Sequence, residues 1–177
     1  MNPIKPLESA LAALIPDAEA LVEPFRRQFD PSAATGVPAH VTILYPFKPP
    51  DELTGDVIQI LRDLFKELPA FTVSFNKIMQ FPDAIFLAPE PAEPFRQMTR
   101  LIAGRFPETP PYRGEFKEIV PHLTVAQEGD PQKLASIAAD FRAAASDQLP
   151  IRARINKVSL LENSNGYWQV RAVFPLH

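Results

Sequence analysis

An eight-residue pattern occurs twice in this chain, and a chain that repeats itself folds into units that resemble one another. Residues 71–78 read Phe-Thr-Val-Ser-Phe-Asn-Lys-Ile, and residues 151–158 read Ile-Arg-Ala-Arg-Ile-Asn-Lys-Val. Each copy follows an amphipathic, helix-spaced segment. In each, apolar residues alternate (Phe71, Val73, Phe75; Ile151, Ala153, Ile155) and then slip by one position at Asn-Lys. Alternation marks a strand with one buried face, and the shared slip predicts a β-bulge at Asn76-Lys77 and another at Asn156-Lys157. Upstream, Glu23-Pro24-Phe25-Arg26 recurs as Glu93-Pro94-Phe95-Arg96. The offset is 70 residues there and 80 at Asn-Lys, so the second copy is ten residues longer between the two landmarks. The extra residues are expected in the loop from Phe106 to Ile119. The expected organisation is a single bilobal domain over 1–177, with repeat halves at roughly 8–80 and 81–177.

Helical spacing of apolar residues predicts four helices. They are built on Ala18, Leu21, Val22, Phe25 and Phe29; on Leu53, Val57, Ile60, Leu61, Leu64 and Leu68; on Phe95, Met98, Leu101 and Ile102; and on Leu134, Ile137, Ala138 and Phe141. The last opens with Asp130 as N-cap and Pro131 at the first helical position. Pro24 is expected to kink the first helix or to delay its start to Glu23, because an interior proline costs about 3 kcal/mol. Strands are expected at residues 11–15, 40–45, 71–79, 85–88, 120–126, 151–161 and 167–174. The mixture predicts an α+β fold of two pseudo-symmetric lobes, each an antiparallel-rich sheet with two helices, and an active cleft between the lobes.

Composition removes whole classes of chemistry. With no cysteine there is no disulfide, thiolate-bound zinc, iron–sulfur centre or thiol nucleophile. Eighteen Lys and Arg against 21 Asp and Glu argue against a protein that grips a long polyanionic backbone, and leave a nucleotide or a strand end open. The first sixteen residues are apolar only from Ala10 to Ile15 and carry Lys5 and Glu8, too short and polar a stretch for a membrane span. The expectation is a cytoplasmic monomer with no membrane partner. No P-loop, Gly-x-Ser-x-Gly elbow, dinucleotide fingerprint or EF-hand pattern is found.

Two of the three histidines sit in matching contexts. His40-Val41-Thr42-Ile43 follows Pro38, and His122-Leu123-Thr124-Val125 follows Pro121. Thr is only 7 of 177 residues, so Thr two places after both internal histidines is a rare coincidence. Residues i and i+2 of a strand share a face, so each His/Thr pair points one way while its neighbours enter a core. If the halves pack about a pseudo-two-fold axis, the pairs converge. Two imidazoles and two hydroxyls facing one another suit attack at phosphorus: one ring accepts a proton from the nucleophile, and the other gives one to the leaving oxygen. A pKa near 6.5 allows both states near neutrality, and the Thr hydroxyls can donate to non-bridging phosphate oxygens.

The stretches Gly-Val-Pro-Ala-His-Val-Thr-Ile-Leu-Tyr-Pro-Phe (36–47) and Val-Pro-His-Leu-Thr-Val-Ala (120–126) resemble the 2H phosphoesterase superfamily, and most of all its 2′-5′ RNA ligase-like, 2′,3′-cyclic phosphodiesterase branch. The resemblance implies that His40 and His122 are the acid–base pair and Thr42 and Thr124 the phosphate ligands. It implies substrates among 2′,3′-cyclic phosphates and 2′-5′ linkages of RNA 3′ ends and small cyclic nucleotides, and no cofactor or metal.

Other residues are candidates for contacts at the mouth of the cleft. Tyr45, Phe47 and Lys48 follow the first motif, and Tyr112, Arg113 and Lys117 precede the second, where they can stack a base or steer a phosphate. Arg152 and Arg154 read as a solvated strand face and Trp168 as core. Two rival readings of the histidines stand beside the enzyme. One is a metal site, disfavoured because neither histidine has a second at i+2 or i+4 and the nearest carboxylates, Asp51, Glu118 and Glu128, lie on loops or element ends. The other is a nucleotide-binding module without turnover, disfavoured because binding alone needs no acid and no base.

Overall fold

The computed structural model describes residues 6–177. Its strands, in chain order, are β1 (Ser9–Leu14), β2 (His40–Leu44), β3 (Phe71–Phe81), β4 (Ala84–Glu90), β5 (Leu123–Gln127), β6 (Ile151–Ile155), β7 (Lys157–Glu162) and β8 (Gln169–Pro175). The helices are α1 (Glu19–Phe29), the single turn α2 (Pro31–Ala34), α3 (Gly55–Phe65), α4 (Glu93–Arg105) and α5 (Pro131–Ala145). The strands form two four-stranded sheets, ordered β2-β1-β7-β8 and β5-β4-β3-β6, in which every pairing is antiparallel. The expected α+β architecture of two sheets and four principal helices is the one observed. Among the described residues no helix is long and apolar enough to cross a membrane.

Local chemistry accounts for the helix ends. Asp130 caps α5 by accepting from the amides of Gln132 and Lys133, and Thr54 caps α3 through the amide of Val57. Caps of this kind contribute about 1 kcal/mol each. Pro24 neither delays nor divides α1, which runs from Glu19 through it. The lost backbone hydrogen bond is outweighed by burial of the apolar face: Leu21 and Val22 are buried, and the Phe25 ring meets Phe141 edge-on at 5.1 Å. Tertiary packing decides here against intrinsic propensity.

The repeat is woven rather than stacked. Positions related by the offset of 80 pair reciprocally across β3 and β6: Phe71 with Ile155, Phe75 with Ile151, and Val73 with Ala153 at the middle. Beyond this crossing the register of β3 shifts between Phe75 and Lys77, at the predicted bulge. At Asn156 the second copy does more than bulge. The segment expected as one strand over 151–161 breaks there, β6 staying with β3 and β7 passing to the other sheet beside β1. Neither sheet therefore belongs to one half of the sequence. β7 completes the sheet of β1 and β2, and β3 completes that of β4 and β5. The helices follow suit, α1 lying against β5 and α4 against β2, where the Thr99 hydroxyl donates to the Ile43 carbonyl at 2.7 Å. One continuous apolar core runs through both sheets, from Leu11, Val41 and Val158 to Val73, Ile85 and Leu123.

Candidate active site

β2 alternates as its sequence requires: Val41 and Ile43 are buried, while His40 and Thr42 are half-buried on the opposite face. β5 repeats the arrangement with Leu123 and Val125 inward and Thr124 outward. His122 lies one residue before β5 instead of within it, so the strand expected from residue 120 starts three residues later. The two threonines hold equivalent register positions, Thr42 opposite Ala12 and Thr124 opposite Phe86, each just before a register shift that leaves the next residue of its own strand, Ile43 or Val125, without a partner.

His40, Thr42, His122 and Thr124 line one cleft of about 360 Å³, together with Tyr45, Tyr112, Gln127 and Trp168. Both rings are held in the same way. Nδ1 of His40 lies 2.8 Å from the carbonyl oxygen of Pro38, and Nδ1 of His122 lies 2.7 Å from that of Val120, two residues upstream in each case. A carbonyl only accepts, so Nδ1 carries the hydrogen and Nε2 of a neutral ring keeps its lone pair for the cleft. Burial lowers the pKa of both rings, that of His40 to about 4. The Pro38 and Val120 carbonyls oppose this shift. At His40 the nearby Arg26 charge reinforces it and Asp30 offsets part. Both imidazoles are consequently neutral bases at neutral pH in the free protein. The His122 ring packs in T-shaped contact with Phe81 and Phe86, ring centroids 5.2 and 5.7 Å away.

The candidates at the mouth of the cleft divide. Tyr45 and Tyr112 reach it. Phe47 does not: it is 5% exposed and packs edge-on against Phe106, because the chain after β2 turns into the core. Lys48 is drawn to Glu108 at 2.6 Å and Glu52 at 3.8 Å, and Arg113 to Glu8 at 2.8 Å, so both cations are spent on carboxylates outside the cleft lining. Trp168, read as core, is half-buried against the cleft and meets the Tyr45 ring edge-on at 6.3 Å. Arg152 and Arg154 are exposed, as expected.

The long loop of the second copy reaches back across the site. Tyr112 and Arg113 adopt left-handed backbone, φ 49° and 56°, which costs a non-glycine residue about 1–2 kcal/mol. Anchors offset that strain: the Tyr112 amide donates to the Tyr45 carbonyl at 2.6 Å, and Glu8 receives both Arg113 and the Tyr45 hydroxyl. The Tyr112 phenol is thereby set beside the Thr42 hydroxyl, and burial raises its pKa. On the far side of Tyr112 a second cavity of about 560 Å³ continues from His122 and Thr124 past Phe81, Phe116, Asp83 and Glu118.

Two residues with no assigned role reach the segments that carry the histidines. Arg26 donates from Nη2 to the Val37 carbonyl at 2.9 Å, and Arg96 donates from Nε to the Ile119 carbonyl at 3.0 Å. The recurrence of Glu-Pro-Phe-Arg in the sequence was the signal that could have found them.

Comparison with known proteins adds findings of three kinds. The family model described as the 2′-5′ RNA ligase superfamily matches residues 14–166. A predicted phosphoesterase of Bacillus licheniformis is 27% identical over 156 residues, 86% of this chain and 88% of that protein. One from Bacillus pumilus is 28% identical over 156 residues, 86% of each. Among solved structures, Escherichia coli LigT complexed with 3′-AMP superposes with a TM-score of 0.63 at 14% identity, over 97% of this chain and 99% of that one. A protein of Thermus thermophilus superposes with a TM-score of 0.64 at 20% identity, over 96% and 97%.

Proposed function

Since this chain belongs to the 2′-5′ RNA ligase superfamily, we propose that it is a phosphoesterase acting on RNA 3′ ends or small cyclic nucleotides, by hydrolysis of a 2′,3′-cyclic phosphate or by reversible 2′-5′ joining. In this reading His40 and His122 are the acid–base pair and Thr42 and Thr124 the phosphate ligands. The domain is one functional unit, its cleft taking one motif from each sheet. The observation that carries the reading is the matched tie of the two rings, which leaves both Nε2 atoms for a shared cleft.

The chemistry follows from that arrangement. In hydrolysis a water oxygen attacks phosphorus while the neutral Nε2 of one imidazole takes the water proton. The bond from phosphorus to one ribose oxygen breaks, and the protonated Nε2 of the other imidazole delivers its proton to that oxygen. One ring ends charged and the other neutral, so the proton count closes. The Thr42 and Thr124 hydroxyls donate to the non-bridging oxygens as charge builds on them. In joining, a 5′-hydroxyl takes the place of water. A free protein with two neutral imidazoles lacks the acid, and an arriving phosphate anion favours the charged form of a ring beside it. Substrate binding thus loads the acid. The aromatic cavity beyond Tyr112, about 560 Å³, has room for a nucleobase, and the LigT complexes with 3′-AMP, NADP+ and ATP support a nucleotide-sized ligand.

The test is incubation of the purified protein with 2′,3′-cyclic nucleotides and with 2′-5′-linked dinucleotides in excess chelator, followed by product analysis. Ring-opened monophosphates or cleaved dinucleotides are the expected products. Tight nucleotide binding with no turnover of either substrate would replace the enzyme with a binding module, and activity abolished by the chelator would move the chemistry to a metal.

A further inference from the structure

We propose that Arg26 and Arg96 are a matched pair of positioning residues, each fixing the peptide carbonyl next to the one against which a histidine orients its ring. The inference rests on the acid–base reading of His40 and His122. Arg26, on α1, grips the Val37 carbonyl, three residues ahead of His40, and Arg96, on α4, grips the Ile119 carbonyl, three residues ahead of His122. The next carbonyl in each segment, Pro38 or Val120, receives the Nδ1 hydrogen. The relay is thus the same twice: guanidinium, carbonyl at His minus three, carbonyl at His minus two, ring.

Its recurrence is not a by-product of spacing. Arg26 and Arg96 are 70 positions apart and the two histidines 82, so the second copy remakes the contact across a longer connection. The two arginines also use different nitrogens, Nη2 and Nε, to reach equivalent carbonyls. What the copies share is the carbonyl held.

The physical consequence is control of the tautomer. Anchoring a peptide plane at its His-minus-three oxygen restricts how far the next plane, whose carbonyl faces the ring, can swing away. Released, that neighbour ceases to select hydrogen on Nδ1, and the Nε2–H tautomer gains population. A ring with its hydrogen on Nε2 has no lone pair in the cleft and cannot accept the nucleophile's proton. Neither arginine touches the reacting atoms; each acts through its histidine.

The two copies differ in how tightly the arginine is embedded, and the difference chooses the experiment. Arg26 is 2% exposed, with Nε 3.0 Å from Asp30 and Nη2 3.2 Å from the Ser32 hydroxyl, so its replacement strands a buried carboxylate and threatens the fold. Arg96 is 37% exposed and only loosely paired with Glu93 at 3.6 Å. Arg96→Met and Arg96→Lys are therefore compared with wild type by long-range ¹H–¹⁵N correlation spectra of the imidazoles at pH 7.5, and by kcat and KM on 2′,3′-cyclic AMP. The Met variant is expected to lose the Nδ1–H signature at His122 while His40 keeps it. Its kcat should fall at least about tenfold with KM within about twofold, and Lys should restore part of both. An unchanged His122 tautomer in Arg96→Met, or equal changes at both histidines, overturns the proposal. If Arg96→Met fails to fold, Arg96→Gln, too short to reach Ile119, takes its place and is judged by the same spectra. A tautomer shift at His122 in a protein whose wild type turns over no phosphodiester would sink the enzyme reading and leave the positioning role standing.

Discussion

At the scale of single residues, the two histidines divide one displacement between them, so their losses do not multiply. Replacing either by Ala is expected to lower kcat/KM by about 10² to 10⁴-fold, and the double variant should be little worse than the worse single one. Steady-state kinetics of the three variants check this, strictly multiplicative losses speaking against a unit. The pH profile follows from the direction of the pKa shifts. Activity falls with decreasing pH as the base protonates, and with increasing pH as the acid deprotonates. Both rings titrate below 6.5 in the free protein, His40 at about 4. The bell in kcat/KM should accordingly centre on the acid side of pH 6.5, its limbs belonging to the pair rather than to either residue. A kcat/KM maximum above pH 7 would contradict the burial of the rings. Stability carries the same signature. An unfolded His40 binds a proton at 6.5 and the folded one only near 4, so between these values the unfolded state holds more protons. The contribution of His40 to folding stability is fully present above pH 6.5 and is lost as the pH falls toward 4. Urea unfolding of wild type and His40→Asn at pH 7.5 and 5.0 measures it, and an equal acid loss in both would assign the effect elsewhere.

At the scale of elements, the turn after α2 is the piece with least room for change. Gly36 has φ +97°, and a side-chain carbon built on it would stand 3.2 Å from the Trp168 carbonyl oxygen. The Trp168 amide in turn donates to the Thr35 carbonyl at 2.9 Å. Gly36→Ala is expected to cost about 1–2 kcal/mol of backbone strain, a fall of about 2–8 °C in Tm, and to shift Trp168 away from Tyr45. Since Trp168 is the single tryptophan of the chain, its emission reads the shift directly. Unchanged emission and melting would mean that the turn is not under strain. What the sequence made legible also sorts by element. Periodicity found the four helices, and the His-x-Thr spacing placed His40, Thr42 and Thr124 on strand faces, with His122 one residue ahead of its strand, because these are patterns within one segment. Partner choice was not legible. Nothing in residues 151–161 distinguishes a bulge within one strand from a passage between two sheets, and that difference is settled only by what β1 and β3 offer across the chain. The side of an aromatic was equally hidden: Phe47 and Trp168 exchange their expected places because the turns around them, not their own chemistry, decide which face they meet.

At the scale of the whole molecule, the crossing of β3 and β6 makes each sheet a joint product of both halves. Residues 6–82 alone hold β1 and β2 as a two-stranded pair, and β3 without any partner. Isolated two-stranded pairs are marginal in water. Neither residues 6–82 nor 83–177 is therefore expected to unfold cooperatively by itself, while the two produced together should associate into one species with a sigmoidal urea transition. Circular dichroism of the separate and mixed fragments decides this, and a folded half would mean that the units are independent after all. The pairing of β1 with β7 has a further consequence for a chain made from one end to the other. β1 leaves the ribosome well before β7, and it waits with an unpaired edge and apolar side chains until Lys157–Glu162 has followed it out. Throughout that interval the growing protein exposes what its finished form hides, so its vulnerability to aggregation is concentrated in synthesis rather than in its later life.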